Sequence, residues 1–145
     1  MADNPLVGTW RLVSWVNVSA RGAVTRPWGD DAVGVITYTP EGYMSVTVTR
    51  PGRPRFATGD LLAGSSAEKI AAAESYIGYC GTYELREQWV VHRVIQSFFP
   101  NWEGTEQERL VELAGNRLTL STHPIEISGE MQTAQLTWER VTPAS

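Results

Sequence analysis

The chain has 145 residues, 42% hydrophobic and 19% charged, with 12 basic and 16 acidic side chains and a formal net charge of −4. That is one domain's length with enough apolar mass for a core, which excludes a disordered tail and a pair of ordinary domains. It has no basic tract and no apolar run near the ~18 residues that span a bilayer, so neither nucleic acid nor membrane is expected as a partner.

In chain order the pattern is one of strands. Thr9–Val18, rich in Trp and Val, is the first. A polar connector leads to Val33–Thr39 and Tyr43–Thr49, a hairpin around Pro40-Glu41-Gly42, where proline presets φ and glycine accepts a positive one. Arg50–Gly64 is a long loop, locally basic in an acidic protein, that either lies in solvent or flanks a binding mouth. Ser65-x-x-Glu68 matches a capping box and opens one helix over Ala67–Ile77, with Gly78 where a left-handed cap belongs. Strands resume at Tyr79–Arg86, Trp89–Phe98, Thr105–Leu113, Arg117–Thr122 and Gln132–Val141, each bounded by turn residues. Short connections favour antiparallel neighbours, and closing the sheet removes its edges. The expected fold is all-β: an eight-stranded antiparallel up-and-down barrel, one domain over 1–145, with a short helix between the third and fourth strands. A two-sheet sandwich is the alternative. The single cysteine, Cys80, forms no internal disulfide, and Met1-Ala2-Asp3-Asn4-Pro5 lacks the features of a secretory leader. A cytoplasmic setting is expected.

Gly8-Thr9-Trp10 at the first strand and Trp138-Glu139-Arg140 at the last resemble the signature of lipocalin and calycin barrels. Further segments resemble the bacterial and fungal lipocalin-like domain family: Tyr38-Thr39-Pro40-Glu41-Gly42-Tyr43-Met44, Gly81-Thr82-Tyr83-Glu84, Val91-His92-x-Val94, Pro100-Asn101-Trp102-x-Gly104 and Gln107-x-Arg109. The resemblance implies a closed barrel with Trp10 packed under Arg140, and a cavity whose use it leaves open. Some related barrels are cofactor-free cyclases. Without a leader or a disulfide pair, the extracellular transport of secreted lipocalins is not implied.

Strand parity assigns side chains to the lumen. In Gln132–Val141 the inward set is Ala134, Leu136, Trp138 and Arg140. The same rule turns Trp10, Leu12 and Val16 inward, leaving Trp15 outside, and sends in Tyr79, Tyr83, Gln107 and Arg109. The fifth strand is apolar on both faces. His92 and Gln96 are placed inside, because the other choice buries Arg93.

The candidate ligand-binding residues are therefore Tyr79, Tyr83, His92, Gln96, Gln107, Arg109 and Trp138, with Phe56 of the long loop as a lid. One reading makes them the polar end of an apolar pocket that binds a small organic molecule through a carboxylate, carbonyl or enol oxygen. An alternative makes the same cavity a cyclase or isomerase, with His92 or Tyr83 as acid/base and Arg109 as oxyanion stabiliser. The bland counterpart leaves Arg109 at the rim in water and His92 as an ordinary core histidine. A haem barrel using His92 or His123, and a homodimer through outward Trp15 and Trp89, are further alternatives. Neither cofactor nor metal is expected, since two histidines in separate segments make no zinc site.

Overall fold

The computed structural model describes residues 4–142, so Met1-Ala2-Asp3 and 143–145 lie outside the described residues. Its strands are β1 (Gly8–Ser19), β2 (Val24–Thr25), β3 (Val33–Tyr38), β4 (Tyr43–Thr49), β5 (Tyr76–Arg86), β6 (Trp89–Ser97), β7 (Glu106–Ala114), β8 (Arg117–Thr122), β9 (Ile125–Ile127) and β10 (Glu130–Arg140). Eight of them run antiparallel in the order β1-β3-β4-β5-β6-β7-β8-β10, and β10 pairs back onto β1 to close the barrel. The two- and three-residue strands β2 and β9 are short flaps on β1 and β10. Closure excludes the sandwich.

The one α-helix among the described residues, α1 (Ser66–Glu74), follows Tyr43–Thr49 as expected, but lies between the fourth and fifth strands, not the third and fourth. The unforeseen β2 accounts for the extra count. At its start, Ser65 Oγ accepts from the Glu68 N–H and the Glu68 carboxylate accepts from the Ser65 N–H. The backbone N–H groups of Ser65 and Ala57, both donating to it, hold the Glu68 carboxyl below its ordinary range. The helix stops earlier than expected. Ser75 ends it, its hydroxyl donating to the carbonyls of Ala71 and Ala72, and Gly78 belongs to β5. A Cβ on Gly78 would come within 2.8 Å of the Val46 carbonyl, so the glycine serves a close strand contact instead of a cap.

One end of the barrel is closed by Trp10, which is fully buried, and by Arg140, whose guanidinium lies 4.2 Å from the Trp10 ring centroid. Arg140 also donates to the carbonyls of Val7 and Pro5, each at 2.7 Å. Trp10 Nε1 donates to the Leu6 carbonyl at 2.9 Å. Gly8 has φ +132°, and a Cβ there would stand 2.7 Å from Arg140 Nη1, so glycine is required twice over. The glycine and the tryptophan of the Gly-x-Trp pattern are thus both explained by the arginine at the far end of the chain. Replacing Arg140 with Ala should cost about 2–3 kcal/mol, from two charge-assisted hydrogen bonds and the cation–π contact. Thermal unfolding checks this, and an unchanged midpoint would remove the latch.

Two bulges reset the parity. In β1 the pairing steps from Leu12↔Trp138 to Ser14↔Thr137, leaving Val13 as the extra residue. Beyond it Trp15 and Asn17 turn inward opposite Leu136 and Ala134, and Val16 turns away. The expected inward Val16 and outward Trp15 are both corrected by that one residue. In β6, Gly81 pairs with Val94 but Cys80 with Gln96, so Ile95 is the extra residue. Val94 is buried, while Ile95 and Gln96 are exposed.

Candidate functional site

The barrel encloses a cavity of about 440 Å³, open at the end opposite the latch. Its walls are Ile36, Val46, Val48, Ile77, Leu120, Ala134, Leu136 and Trp138 from the strands. Trp15 and Trp28, in edge contact at 5.0 Å, add aromatic surface, as do Tyr76, Phe98, Phe99 and Trp102. The C-terminal end of α1 (Ala73, Glu74) and β9 (Ile125–Ile127) complete the lining. Against this apolar surface stand Tyr79, His92 and Arg109.

His92 comes from β6 and is only 1% exposed, inside as expected from the cost of burying Arg93 instead. Exposed Arg93 on the other face bridges Glu84 at 3.1 Å and Glu106 at 2.9 Å. Both imidazole nitrogens are occupied: Tyr38 Oη lies 2.7 Å from Nε2 and Tyr79 Oη 2.7 Å from Nδ1. Burial, and then the charge of Arg109, push its pKa from 6.5 to about 3, so the ring is neutral at pH 7. Burial likewise raises Tyr38 and Tyr79, keeping both phenols protonated.

Arg109 comes from β7, with Val90 and Thr122 as its cross-strand partners, so it sits diagonally from His92, which pairs with Gln107. It is 9% exposed. Nη1 donates to the Glu108 carbonyl at 3.0 Å, and the guanidinium lies 5.9 Å from the Trp102 ring centroid. Among the described residues it has no carboxylate within ion-pair distance. The Glu108 side chain is instead bound to His123 at 3.0 Å. A permanently charged group withdrawn from water without a counter-charge costs several kcal/mol unless something else answers it.

Other candidates fall outside the lining. Gln96 is carried to the exterior by the Ile95 bulge and faces Cys80. Tyr83 belongs to a buried tie: its hydroxyl donates to the Thr39 carbonyl at 2.7 Å and accepts from Asn4 at 2.8 Å, and its ring meets Tyr38 edge-on at 4.7 Å. Gln107 is half-buried and donates to Thr105 Oγ1 at 2.9 Å. Phe56 packs against Gly64 within its own loop. Arg53 of that basic loop donates to Ser75 and to the Ala72 carbonyl, neutralising the end of α1, where a cation is favoured. Neither histidine offers the lumen a free nitrogen for haem iron. His92 is doubly bonded, and His123 lies outside, stacked on Trp89 at 4.5 Å. Of the outward pair Trp15 and Trp89, Trp15 turns inward and Trp89 stays on the outer face against His123. Trp138 does line the cavity, with its indole nitrogen buried and unpartnered.

Sequence reading missed Tyr38, although its parity with Ile36 on β3 was the available signal. It also missed Trp15 as a wall residue and Trp102.

A latched antiparallel barrel with an apolar lumen open at one end is the architecture of a small-molecule-binding barrel. The chain belongs to the lipocalin-like domain family, whose model matches residues 7–141. It is 38% identical over 107 residues to the 4'-hydroxy-3'-methoxypropiophenone carrier protein ppsC of Aspergillus oryzae, covering 68% of this chain and 96% of that protein. Among solved structures it resembles a lipocalin-like protein from Bacteroides uniformis, at 14% identity and TM-score 0.49, covering 95% of this chain and 100% of that one. A mutant of the fluorescent protein UnaG matches at 13% identity and TM-score 0.41, covering 94% of this chain and 96% of the other.

Proposed function

We propose that this protein binds and carries a small, largely apolar and aromatic molecule in the barrel lumen, held at one end through an oxygen atom. The carrying observation is Arg109, a buried guanidinium with no carboxylate partner among the described residues, in an otherwise apolar wall. A ligand carbonyl, enol or carboxylate oxygen is the group that would answer it. The aromatic lining suits a conjugated ligand, and the relative named as a carrier of a hydroxyaryl ketone supports the same class. Carriage is favoured over turnover because His92 has no free nitrogen and Tyr83 is engaged with Thr39 and Asn4.

Quenching of the cavity tryptophans on titration with aryl ketones, aryl carboxylates and alkanes of matched size tests this. The oxygen-bearing aromatics are expected to saturate the protein and the alkanes to bind far more weakly. Arg109→Met should weaken binding by about 10- to 100-fold, the worth of one hydrogen bond to a charged group, without altering the far-ultraviolet spectrum. Equal affinity for the variant, or no saturable binding by any compound, would overturn the reading.

A further inference from the structure

The hydrogen-bond geometry around His92 fixes more than the presence of a polar end. A neutral imidazole carries one N–H and one lone pair, so of the two tyrosines at 2.7 Å one donates to the ring and the other accepts from it. Tyr38 is fully buried, does not line the cavity, and has His92 as its only side-chain hydrogen-bond partner among the described residues. If its hydroxyl accepted from the ring, its own proton would be stranded in the core, where a donor without a partner bears the whole cost of leaving water. Tyr38 therefore donates to Nε2, and Nδ1–H donates to Tyr79. The Tyr79 oxygen accepts, and its proton is left free in a residue that lines the lumen. Arg109 lines the same lumen, and the Tyr79 ring and the Arg109 guanidinium both lie against Trp102, 5.7 and 5.9 Å from its ring centroid, so that this charge opposes the upward push of burial on Tyr79.

One free O–H donor, on Tyr79, and the charged guanidinium of Arg109 thus meet in one region of the lumen, and nothing there is disposed to give up a proton to balance an incoming anion. The groups facing it are Tyr79 from β5, His92 from β6 and Arg109 from β7, with Tyr38 of β3 and Tyr83 of β5 packed behind them, and the only charge among the five is positive. The carboxylates of Glu74 and Glu126 line the cavity from the end of α1 and from β9, neither within ion-pair distance of Arg109.

Resting on the carriage reading, we infer that the lumen takes its ligand as the oxyanion of a weakly acidic aromatic or conjugated hydroxyl, a phenolate or enolate. Arg109 supplies the counter-charge and Tyr79 the hydrogen bond. The ligand's proton leaves to bulk solvent on binding, and Tyr79 keeps its own. Tyr38 and His92 act as positioning residues that aim the Tyr79 proton.

The test uses 4'-hydroxy-3'-methoxypropiophenone, the ligand in the relative's name, and its O-methyl ether, which cannot ionise. Absorbance separates phenol from phenolate, the latter lying at longer wavelength. The bound ketone is expected to ionise at least about one pH unit below the free compound, as an opposite charge at short range requires. Calorimetry in two buffers of different ionisation enthalpy should then show proton release. At a pH above the free ketone's own ionisation the ether should bind at least about tenfold more weakly, because there each pH unit by which the bound phenol is made more acidic is a factor of ~10 in affinity. Tyr79→Phe should reduce that gain in acidity, and Arg109→Met should abolish it. Saturable binding with a neutral-phenol spectrum, or an ether of equal affinity, overturns the oxyanion proposal and leaves carriage standing. If neither compound binds, the oxyanion proposal falls, and carriage falls with it if the wider series of aryl ketones and aryl carboxylates also fails to saturate the protein.

Discussion

Lowering the pH from 6.5 to about 5 should remove roughly 2 kcal/mol of folding stability, before most carboxylates begin to protonate. An unfolded chain offers His92 at its ordinary 6.5, whereas in the fold burial, and then the Arg109 charge, hold it near 3. Between those values the unfolded state binds a proton that the folded state refuses. Stability is therefore complete above 6.5 and falls with decreasing pH by up to ~1.4 kcal/mol per pH unit. By about pH 3 the cumulative loss is about 4–5 kcal/mol, comparable with the whole stability of many domains. Urea unfolding at half-unit pH steps measures the slope.

His92→Gln separates this residue from the carboxylates. Glutamine retains a donor and an acceptor for Tyr38 and Tyr79 but does not titrate. The variant should be less stable at pH 7, because the shorter reach of one amide cannot satisfy both tyrosines equally. It should also be flat between pH 6.5 and 5. A wild-type protein without the slope, or a variant that keeps it, would mean that His92 is not held neutral in the core. Tyr79 would then no longer be held with its proton toward the lumen.

Much of this arrangement was legible in the residues, because alternation is a strong signal wherever one face of a strand is oily. It placed Tyr79 and Arg109 on the lumen side, the cost of burying Arg93 put His92 there too, and the Gly8-x-Trp10 and Arg140 pattern located the closed end. What alternation cannot register is a residue added to one strand. Val13 and Ile95 are ordinary strand formers, and nothing in their neighbourhood announces a bulge, yet each reverses the facing of everything beyond it. Val16, Trp15 and Gln96 were misplaced for that reason alone. Tyr83 was inside as expected, but alternation does not say whether a buried hydroxyl meets a cavity or a neighbouring carbonyl. Phe56 sits in an aperiodic loop, where no rule of facing applies. Gly78 was read as a helix cap from its place after an alanine run. A glycine required by a passing strand looks the same in sequence.

Gly81→Ala is expected to cost about 4 kcal/mol or more, a severe effect for one methyl group. A Cβ at Gly81 would fall 1.8 Å from the carbonyl oxygen of Arg93 and 2.8 Å from its carbon, both backbone atoms that cannot rotate away. Gly115→Ala provides the contrast. There φ is +61° but nothing lies within 4 Å, so only the left-handed backbone opposes the substitution, at about 1 kcal/mol. Urea midpoints of the two variants distinguish close approach from backbone strain. The comparison also bears on the site. Gly81 lies where the β5–β6 register slips, and the slip sends Gln96 to the surface while Val94, before it, keeps the inward facing of His92. If Gly81→Ala folded with stability equal to Gly115→Ala, the strands would not be in the close contact that fixes this bulge. Gln96 would then return as a residue of the lumen, and the cavity's polar end would no longer belong to Tyr79, His92 and Arg109 alone.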